Sequence, residues 1–428
     1  MNYKKHTLKN GLRIITVPMP SSESATLTVW ANVGSRYEAD KIAGLSHFLE
    51  HIVFKGTKKY PSALSLSGAV DAMGAEFNAG TSKEWTNFYI QSAKTHLEKS
   101  FDVLSDMILN PLIKEDDVKK EKGVILEEMA MYEDMPIRNI GDVFEELIFK
   151  GNPLGRDTIG TTKAIKATTS KNFIDYKKLH YFPKNLLITV AGAVTEKEVI
   201  KLSEKYFGGL KANPKPTPKK SKFIQSQTKP EIKLKTKKVE QAHLIIGFPA
   251  DGLGATDRFA EGVLATILGG GMSSRLFTEV REKRGLAYSV RANFDRYTDV
   301  GSFQVYAGVD PSKAEEALEV ILNELYSLKD ESKKITNEEF IKAKEFIKGH
   351  IALSLEDTSN INQFFGEQEL LKGKIDTPED IYKGIDKVKV EEVIKVAKKL
   401  FIKEKLNLAI IGPYQSSDKF KPLIKVTA

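Results

Sequence analysis

The chain of 428 residues contains no cysteine. Disulfides, thiolate zinc sites and cysteine nucleophiles are therefore excluded, and histidine, aspartate and glutamate remain as the side-chain metal ligands. Long apolar runs are missing as well, because the longest candidates, such as Leu186–Val194, have the length of a buried strand. We therefore expect a protein that does not enter a membrane.

The first residues, MNYKKHTLKNGLRIITV, lack the apolar core of a secretory signal and pass directly into an alternating strand pattern. They do not have the pattern of an organelle presequence either. The sequence thus predicts a cytoplasmic, bacterial protein.

Charge of one sign is not in large excess, since the formal net charge of +8 is modest for this length and the lysines are scattered. A basic stripe interleaved with aromatic residues and a glycine-rich phosphate loop are both absent from the sequence. We therefore do not expect a nucleic-acid partner. A hydrophobic content of 41% and a charged content of 29% are typical of a globular protein.

The length predicts two domains, and Gly208–Lys222, with three prolines and several lysines, reads as a linker. We predict domains at 1–210 and 223–428, joined by residues 211–222. A weak repeat supports the division, because Lys171–Val194 and Glu391–Tyr414 both read as an amphipathic helix, a basic turn and an apolar strand. The predicted class is α+β, with two homologous α/β sandwiches, each a mostly antiparallel sheet with helices on one face.

The stretch Ala43–Gly56 reads as a helix with two distinct faces. His47, Glu50 and His51 share one face at offsets of three and four, and an apolar stripe occupies the other. Two imidazoles one turn apart can chelate a metal ion, and a carboxylate beside them can reach a metal-bound water. The alternative is two incidental histidines on a polar helix face.

A zinc site needs a third protein ligand, and a helix predicted from about Glu115 to Tyr132 offers one. Glu121 and Glu128 are seven residues apart and share a face, whereas Glu127 points about 100° away from Glu128. We favour Glu128 as the ligand and Glu121 as the carboxylate that orients a ligand or a water. The alternative is that these acids are solvated surface residues.

With 76 residues between His51 and Glu128, the pattern resembles the signature of the pitrilysin-type M16 metallopeptidases, and the stretch ILEEMAMYEDMP around Glu128 does so too. The chain is similar in particular to the mitochondrial-processing-peptidase-like subfamily, whose subunits are single chains of two homologous domains. The resemblance implies one Zn²⁺ per chain held by His47, His51 and Glu128. It also implies Glu50 as general base, with Glu121 at the family's second glutamate position.

A hairpin is predicted in Asp71–Ile90, with strands around Ala75–Ala79 and Thr86–Ile90. The resemblance implies that Glu76, Phe77, Asn78 and Ala79 form an edge strand that pairs with extended peptide substrate. The alternative is an ordinary hairpin.

In the second half, the spacing of Arg281 and Tyr288 is similar to that of the family's substrate-holding Arg/Tyr pair. A guanidinium and a phenol are suitable donors to a developing oxyanion. Without the resemblance, both residues read as structural. The triple glycine Gly269–Gly271 reads as a helix C-cap or a short substrate-contacting loop.

In family members with four domains in one polypeptide, the zinc lies in the first domain and the Arg/Tyr pair in the fourth. The resemblance therefore implies that this two-domain chain forms a homodimer enclosing a chamber, in which Arg281 and Tyr288 act in trans on the partner's zinc. The expected function is a zinc endopeptidase or oligopeptidase acting on extended or unfolded peptides. Two alternatives stay open: a catalytically silent scaffold or peptide-binding subunit of a larger complex, and the zinc-bearing subunit of a heterodimer.

Overall fold

The structure, a computed structural model, describes residues 1–213 and 219–425. Part of the predicted linker, residues 214–218, thus lies outside the described residues. Among the described residues, no helix has both the length and the apolar character required to cross a bilayer.

The elements of the first half alternate between strands and groups of helices. The strands are β1 (Lys4–Thr7), β2 (Arg13–Pro18), β3 (Ser24–Ala31), β4 (Glu76–Thr81), β5 (Thr86–Ala93) and β6 (Leu186–Gly192). The helices are α1 (Leu45–Ile52), α2 (Ala63–Asp71), α3 (Leu97–Leu109), α4 (Glu115–Asp134), α5 (Pro136–Ile148), α6 (Thr162–Ala167), α7 (Ser170–His180) and α8 (Glu196–Phe207).

The second half repeats this order with fewer strands. Its strands are β7 (Glu231–Thr236), β8 (Ala242–Ala250), β9 (Ala287–Arg296), β10 (Gly301–Val309) and β11 (Asn407–Gly412). Its helices are α9 (Arg258–Gly269), α10 (Ala314–Lys329), α11 (Asn337–Ser354), α12 (Thr358–Lys372), α13 (Pro378–Lys387), α14 (Val390–Leu400) and α15 (Lys421–Ile424).

The first sheet has six strands in the order β1-β2-β6-β3-β5-β4. Only its β2–β6 pair is parallel. Val29 in the central strand β3 pairs with Phe88 of β5 on one side and with Ile188 of β6 on the other. Successive side chains of a strand point to opposite faces, so Leu27 and Val29 lie on the face that packs against α3.

The second sheet has five strands in the order β7-β11-β8-β10-β9, and only the β7–β11 pair is parallel. Leu244 and Ile246 of β8 and Leu408 and Ile410 of β11 are buried in one apolar core with residues of α9, α10 and α14. The two sheets therefore share a strand arrangement, and the predicted α+β class with mostly antiparallel sheets is confirmed.

The compact units differ from the predicted domains in two helices. Within the described part of the chain, one unit combines Met1–Ala130, Arg156–Ser221 and Leu353–Thr377, and the remaining residues form the other. Helix α12, from the second half of the chain, thus belongs to the first sheet. Helix α5, from the first half, belongs to the second sheet. Sequence patterns are local and do not reveal such an exchange.

Each exchanged helix covers the second face of its sheet, an arrangement that the prediction of helices on one face did not include. In the first unit, Thr358 and Asn362 of α12 form hydrogen bonds with Thr26 and Thr189. In the second unit, α5 contributes buried residues such as Phe144 to a separate apolar cluster with Ile245, on the opposite face from Leu244. Both faces of each sheet are therefore covered.

Candidate metal centre

Helix α1 carries the two histidines, and its N-terminus is held by a buried acid. Glu38 accepts hydrogen bonds from the backbone N–H groups of Gly44 at 2.7 Å and Ser46 at 2.6 Å. Gly44 precedes the helix with φ of 91°, and a Cβ there would lie 2.2 Å from the carbonyl oxygen of Ile159. Burial raises the pKa of Glu38 to about 7, although hydrogen bonds from Ser46 and Gly44 oppose the shift. The helix that bears the histidines is therefore fixed at its start.

The predicted ligands converge in the first unit. His47 Nε2 lies 3.7 Å from Glu128 Oε1, and His51 Nε2 lies 3.4 Å from Glu128 Oε2. The ligand atoms of the three residues all lie within 4.8 Å of one another. Zinc bonds of about 2.0–2.2 Å in tetrahedral geometry hold ligand atoms about 3.3–3.6 Å apart. The two imidazole–carboxylate distances, each to a different oxygen of Glu128, are close to this range, so the donor set fits a zinc ion.

The acid Glu121 contacts the back of His51. Its Oε1 lies 3.0 Å from His51 Nδ1, and its Oε2 lies 2.5 Å from Lys55 Nζ. Burial lowers the pKa of His51, but the hydrogen bond that His51 donates to Glu121 and the charges of Glu128, Glu121 and Glu50 outweigh this effect, so the pKa of His51 is raised overall. Burial likewise opposes ionisation of Glu121, yet His51 and Lys55 lower its pKa. Glu121 is thus an ionised partner that orients His51 with Nε2 towards Glu128.

Glu50 lies on the same helix but its carboxylate has a different partner. Thr81, at the end of β4, donates a hydrogen bond from Oγ1 to Glu50 Oε2 at 2.6 Å. Glu127, the neighbour of Glu128 on α4, is exposed. His47, His51 and Glu128 therefore form one group, and the carboxylate of Glu50 is held separately by Thr81.

The strand predicted to bind substrate is β4, the outermost strand of the first sheet. Its pairing with β5 places Phe77 opposite Ile90 and Ala79 opposite Phe88. Phe77 also contacts Phe54, just after α1, with ring centroids 5.2 Å apart. Because side chains alternate along a strand, Phe77 and Ala79 lie on the α1 side of the sheet, and Glu76 and Asn78 lie on the other.

The predicted pair in the second unit is assembled on an exposed surface. Arg281 donates a hydrogen bond to the carbonyl oxygen of Tyr288 at 2.9 Å, and its guanidinium lies 4.9 Å from the centre of the Tyr288 ring. Tyr288 lies on β9, the outermost strand of the second sheet, and is 75% exposed. Met272, directly after the triple glycine, is 78% exposed.

Three residues around the metal group were not predicted from the sequence: Glu38, Lys55 and Thr81. Lys55 lies four residues after His51, a spacing that could have suggested a shared face. Glu38 lies six and eight residues before Gly44 and Ser46, and Thr81 lies 31 residues after Glu50, separations for which the sequence contains no periodic signal.

Sequence comparisons identify the family. The profile described as Insulinase (Peptidase family M16) matches residues 13–162, and the profile described as Peptidase M16 inactive domain matches residues 168–347. An uncharacterized zinc protease of Streptomyces coelicolor is 40% identical over 418 residues, which cover 96% of this chain and 89% of that protein. The uncharacterized zinc protease YmxG of Bacillus subtilis is 37% identical over 414 residues, which cover 96% and 98% of the two chains.

Solved structures with the same fold agree. A protease from Helicobacter pylori superposes with a TM-score of 0.90 at 27% identity, covering 96% of this chain and 99% of that one. A chain in the structure of complex III from Candida albicans superposes with a TM-score of 0.83 at 18% identity, covering 98% and 97% of the two chains, and shows the fold alone. With whole-length relatives described as zinc proteases, this chain belongs to peptidase family M16 and is a metallopeptidase.

Proposed function

We propose that the protein is a zinc-dependent endopeptidase or oligopeptidase that hydrolyses extended or unfolded peptides. The observation that carries the proposal is the convergence of His47, His51 and Glu128 within 4.8 Å, with Glu50 held beside them on the same helix. One zinc ion per chain fits this donor set. A zinc ion bound there would polarise the scissile carbonyl and lower the pKa of a water molecule.

The residues of the chain have separate roles in this proposal. Glu50 takes the proton of the attacking water and delivers it to the departing amine. Glu121 holds His51 in the tautomer that leaves Nε2 as a ligand. A peptide in extended conformation pairs with the outer edge of β4 through backbone hydrogen bonds, a mode that tolerates many sequences.

Metal analysis and a quenched-peptide assay test the function. We expect about one zinc per chain, turnover that a chelator abolishes, and a Glu50→Gln variant that keeps metal and fold but loses turnover. A Glu50→Gln variant as active as the wild type would remove Glu50 from the mechanism.

We further propose a homodimer that encloses the site, in which Arg281 and Tyr288 of one chain donate hydrogen bonds to the substrate oxyanion at the partner's zinc. The support is that Arg281 contacts Tyr288, which is exposed on the outermost strand β9. Mixing Glu50→Gln chains with Tyr288→Phe chains tests this arrangement. Recovered activity is expected if each mixed dimer has one intact composite site, and no recovery would exclude it.

A second candidate function is a silent scaffold or peptide-binding subunit of a larger complex. It is favoured by the match of residues 168–347 to the profile named for an inactive domain, and by the shared fold with a chain of complex III. The intact donor set in the first unit favours the peptidase. A protein that binds zinc and peptide without turnover would support the scaffold. The cytoplasmic location and the processing-peptidase-like subfamily are part of the proposal.

A further inference from the structure

The hydroxyl of Thr81 forms a short hydrogen bond to the acid proposed as general base. The distance from Thr81 Oγ1 to Glu50 Oε2 is 2.6 Å, and both side chains are partly buried. An O–H donor bound to an ionised carboxylate has a typical distance of about 2.5–2.7 Å, and such bonds are roughly twice as strong as neutral ones. The contact therefore constrains the Glu50 carboxylate substantially.

Thr81 is itself fixed by its position at the end of β4. It pairs with Thr86 of β5, directly before the turn between the two strands. Ala79 and Phe77 lie on the same face of the strand as Thr81, because side chains two residues apart share a face. Phe77 packs against Phe54, just after the end of α1. The hydroxyl therefore belongs to the same rigid strand whose edge is proposed to bind substrate.

A glutamate acting as general base needs such a constraint, because its carboxylate rotates about three side-chain bonds and presents two oxygens. Thr81 occupies Oε2 and leaves Oε1 to receive a proton. The catalytic effect of a base depends on holding that oxygen within hydrogen-bond reach of the proton it removes.

We propose that Thr81 is a positioning residue for the reaction: its hydroxyl ties the Glu50 carboxylate to the strand that binds the peptide, so that Oε1 faces the reacting water. This inference rests on the proposed peptidase function. It differs from a purely structural role for Thr81, because it requires the hydroxyl and predicts a defect in the chemical step.

The test compares Thr81→Val, which removes the hydroxyl at nearly constant shape, with Thr81→Ser, which keeps it. We expect Thr81→Val to lower kcat about 10- to 100-fold, a range typical of a misplaced catalytic group, while KM, zinc content and melting temperature stay near the wild-type values. Thr81→Ser should retain most of the wild-type kcat. Thr7→Val, an exposed strand position of the same sheet, is the matched control and should leave every value unchanged.

The outcomes separate this inference from the proposed function. A Thr81→Val enzyme with wild-type kcat overturns the positioning role, as does a Thr81→Ser enzyme as slow as Thr81→Val. If Thr81→Val fails to fold, Thr81→Ala and Thr81→Ser carry the same comparison between presence and absence of the hydroxyl. Wild-type protein without zinc-dependent turnover overturns the proposed function itself, irrespective of Thr81. A Glu50→Gln variant as active as the wild type removes Glu50 from the mechanism and overturns the role of Thr81 with it.

Discussion

Helices α1 and α9 occupy the same place in the two halves of the chain, because each follows a central strand of its sheet. They differ in the exposure and the pairing of their polar side chains. Helix α1 presents His47, Glu50 and His51 on a partly exposed face. Helix α9 is buried along most of its length, and its buried acid, Glu261, is paired with Arg296 at 2.6 Å. The same arrangement of sheet and helix therefore presents a candidate metal-binding group in one unit and a partly buried ion pair in the other.

The long helices that follow differ in the same way. On α4 the buried residues are Val118, Glu121 and Ile125, so an acid interrupts an apolar stripe. On α11 they are Phe340 and Ala343. The buried residues of α4 thus include a carboxylate, whereas those of α11 are apolar. The two units share a strand arrangement but have different side chains on their helices, so the fold alone does not decide the chemistry.

The largest difference between the two units is expected at Glu128, the proposed third zinc ligand. Glu128→Gln should lower zinc affinity by more than about 100-fold, because it removes the anionic ligand itself. Loss of a residue that only supports a ligand typically costs about 10- to 100-fold. The matched control is Glu127→Gln on the adjacent exposed position, which should bind zinc as the wild type does. Chelator competition measures both, and equal affinities would show that Glu128 is not a ligand.

The buried acid Glu38, at the start of α1, should make the stability of the protein depend on pH. The pKa of Glu38 is raised to about 7 by burial, from an ordinary value of 4.5, so its contribution to stability is present below about pH 4.5 and is lost as pH rises through 7. We expect this group to reduce the free energy of unfolding by about 2–3 kcal/mol between pH 5 and pH 8.

Denaturant unfolding of the wild type and Glu38→Gln across that pH range measures the effect. The variant should be less stable overall, because the glutamine NH2 group would face a backbone N–H and could not accept its hydrogen bond. Its free energy of unfolding should nevertheless change less with pH. Parallel pH profiles would contradict the assignment. Glu261→Gln, which alters the paired acid of the second unit, provides the comparison.

Glu121 should act on zinc through His51. Glu121→Gln keeps an acceptor for the His51 N–H but loses the charge, and we expect zinc affinity to fall about 10- to 100-fold. The same competition assay applies. An unchanged zinc affinity would show that Glu121 has only a structural role, as the ion-pair partner of Lys55.

The smallest effect is expected in the second unit. Arg296→Met leaves Glu261 buried without its partner, at a cost of about 1–2 kcal/mol because the arginine is partly exposed and the pair is partly screened. Thermal unfolding should show the loss, while zinc content and turnover per folded chain stay at the wild-type level. A loss of zinc would mean that the two units are not chemically separate.

Much of this protein could be predicted from its sequence, because the informative patterns are local. The spacing of His47 and His51 indicates one helix face, and the seven-residue offset of Glu121 and Glu128 indicates another. The alternation of Thr26, Leu27, Thr28 and Val29 indicates a strand with two different faces. In the structure, α12 covers the polar face and α3 packs against the apolar one.

The parts that could not be predicted depend on contacts between distant residues. The exchange of α5 and α12 between units follows from buried contacts such as Asn362 with Thr189, 173 positions apart. The hydrogen bond from Thr81 to Glu50 spans 31 positions and has no periodic pattern to indicate it. Only folding brings such atoms together.

By itself the sequence determined which residue types were available for chemistry and on which face of each helix or strand they would lie, since helical and strand periodicities are fixed by backbone geometry. The tertiary structure decided which faces meet. It brought an imidazole pair and a carboxylate from α4 to within 4.8 Å of one another, and it placed a threonine of β4 in hydrogen-bond contact with Glu50. Packing of the strands and helices in the first unit sets these distances.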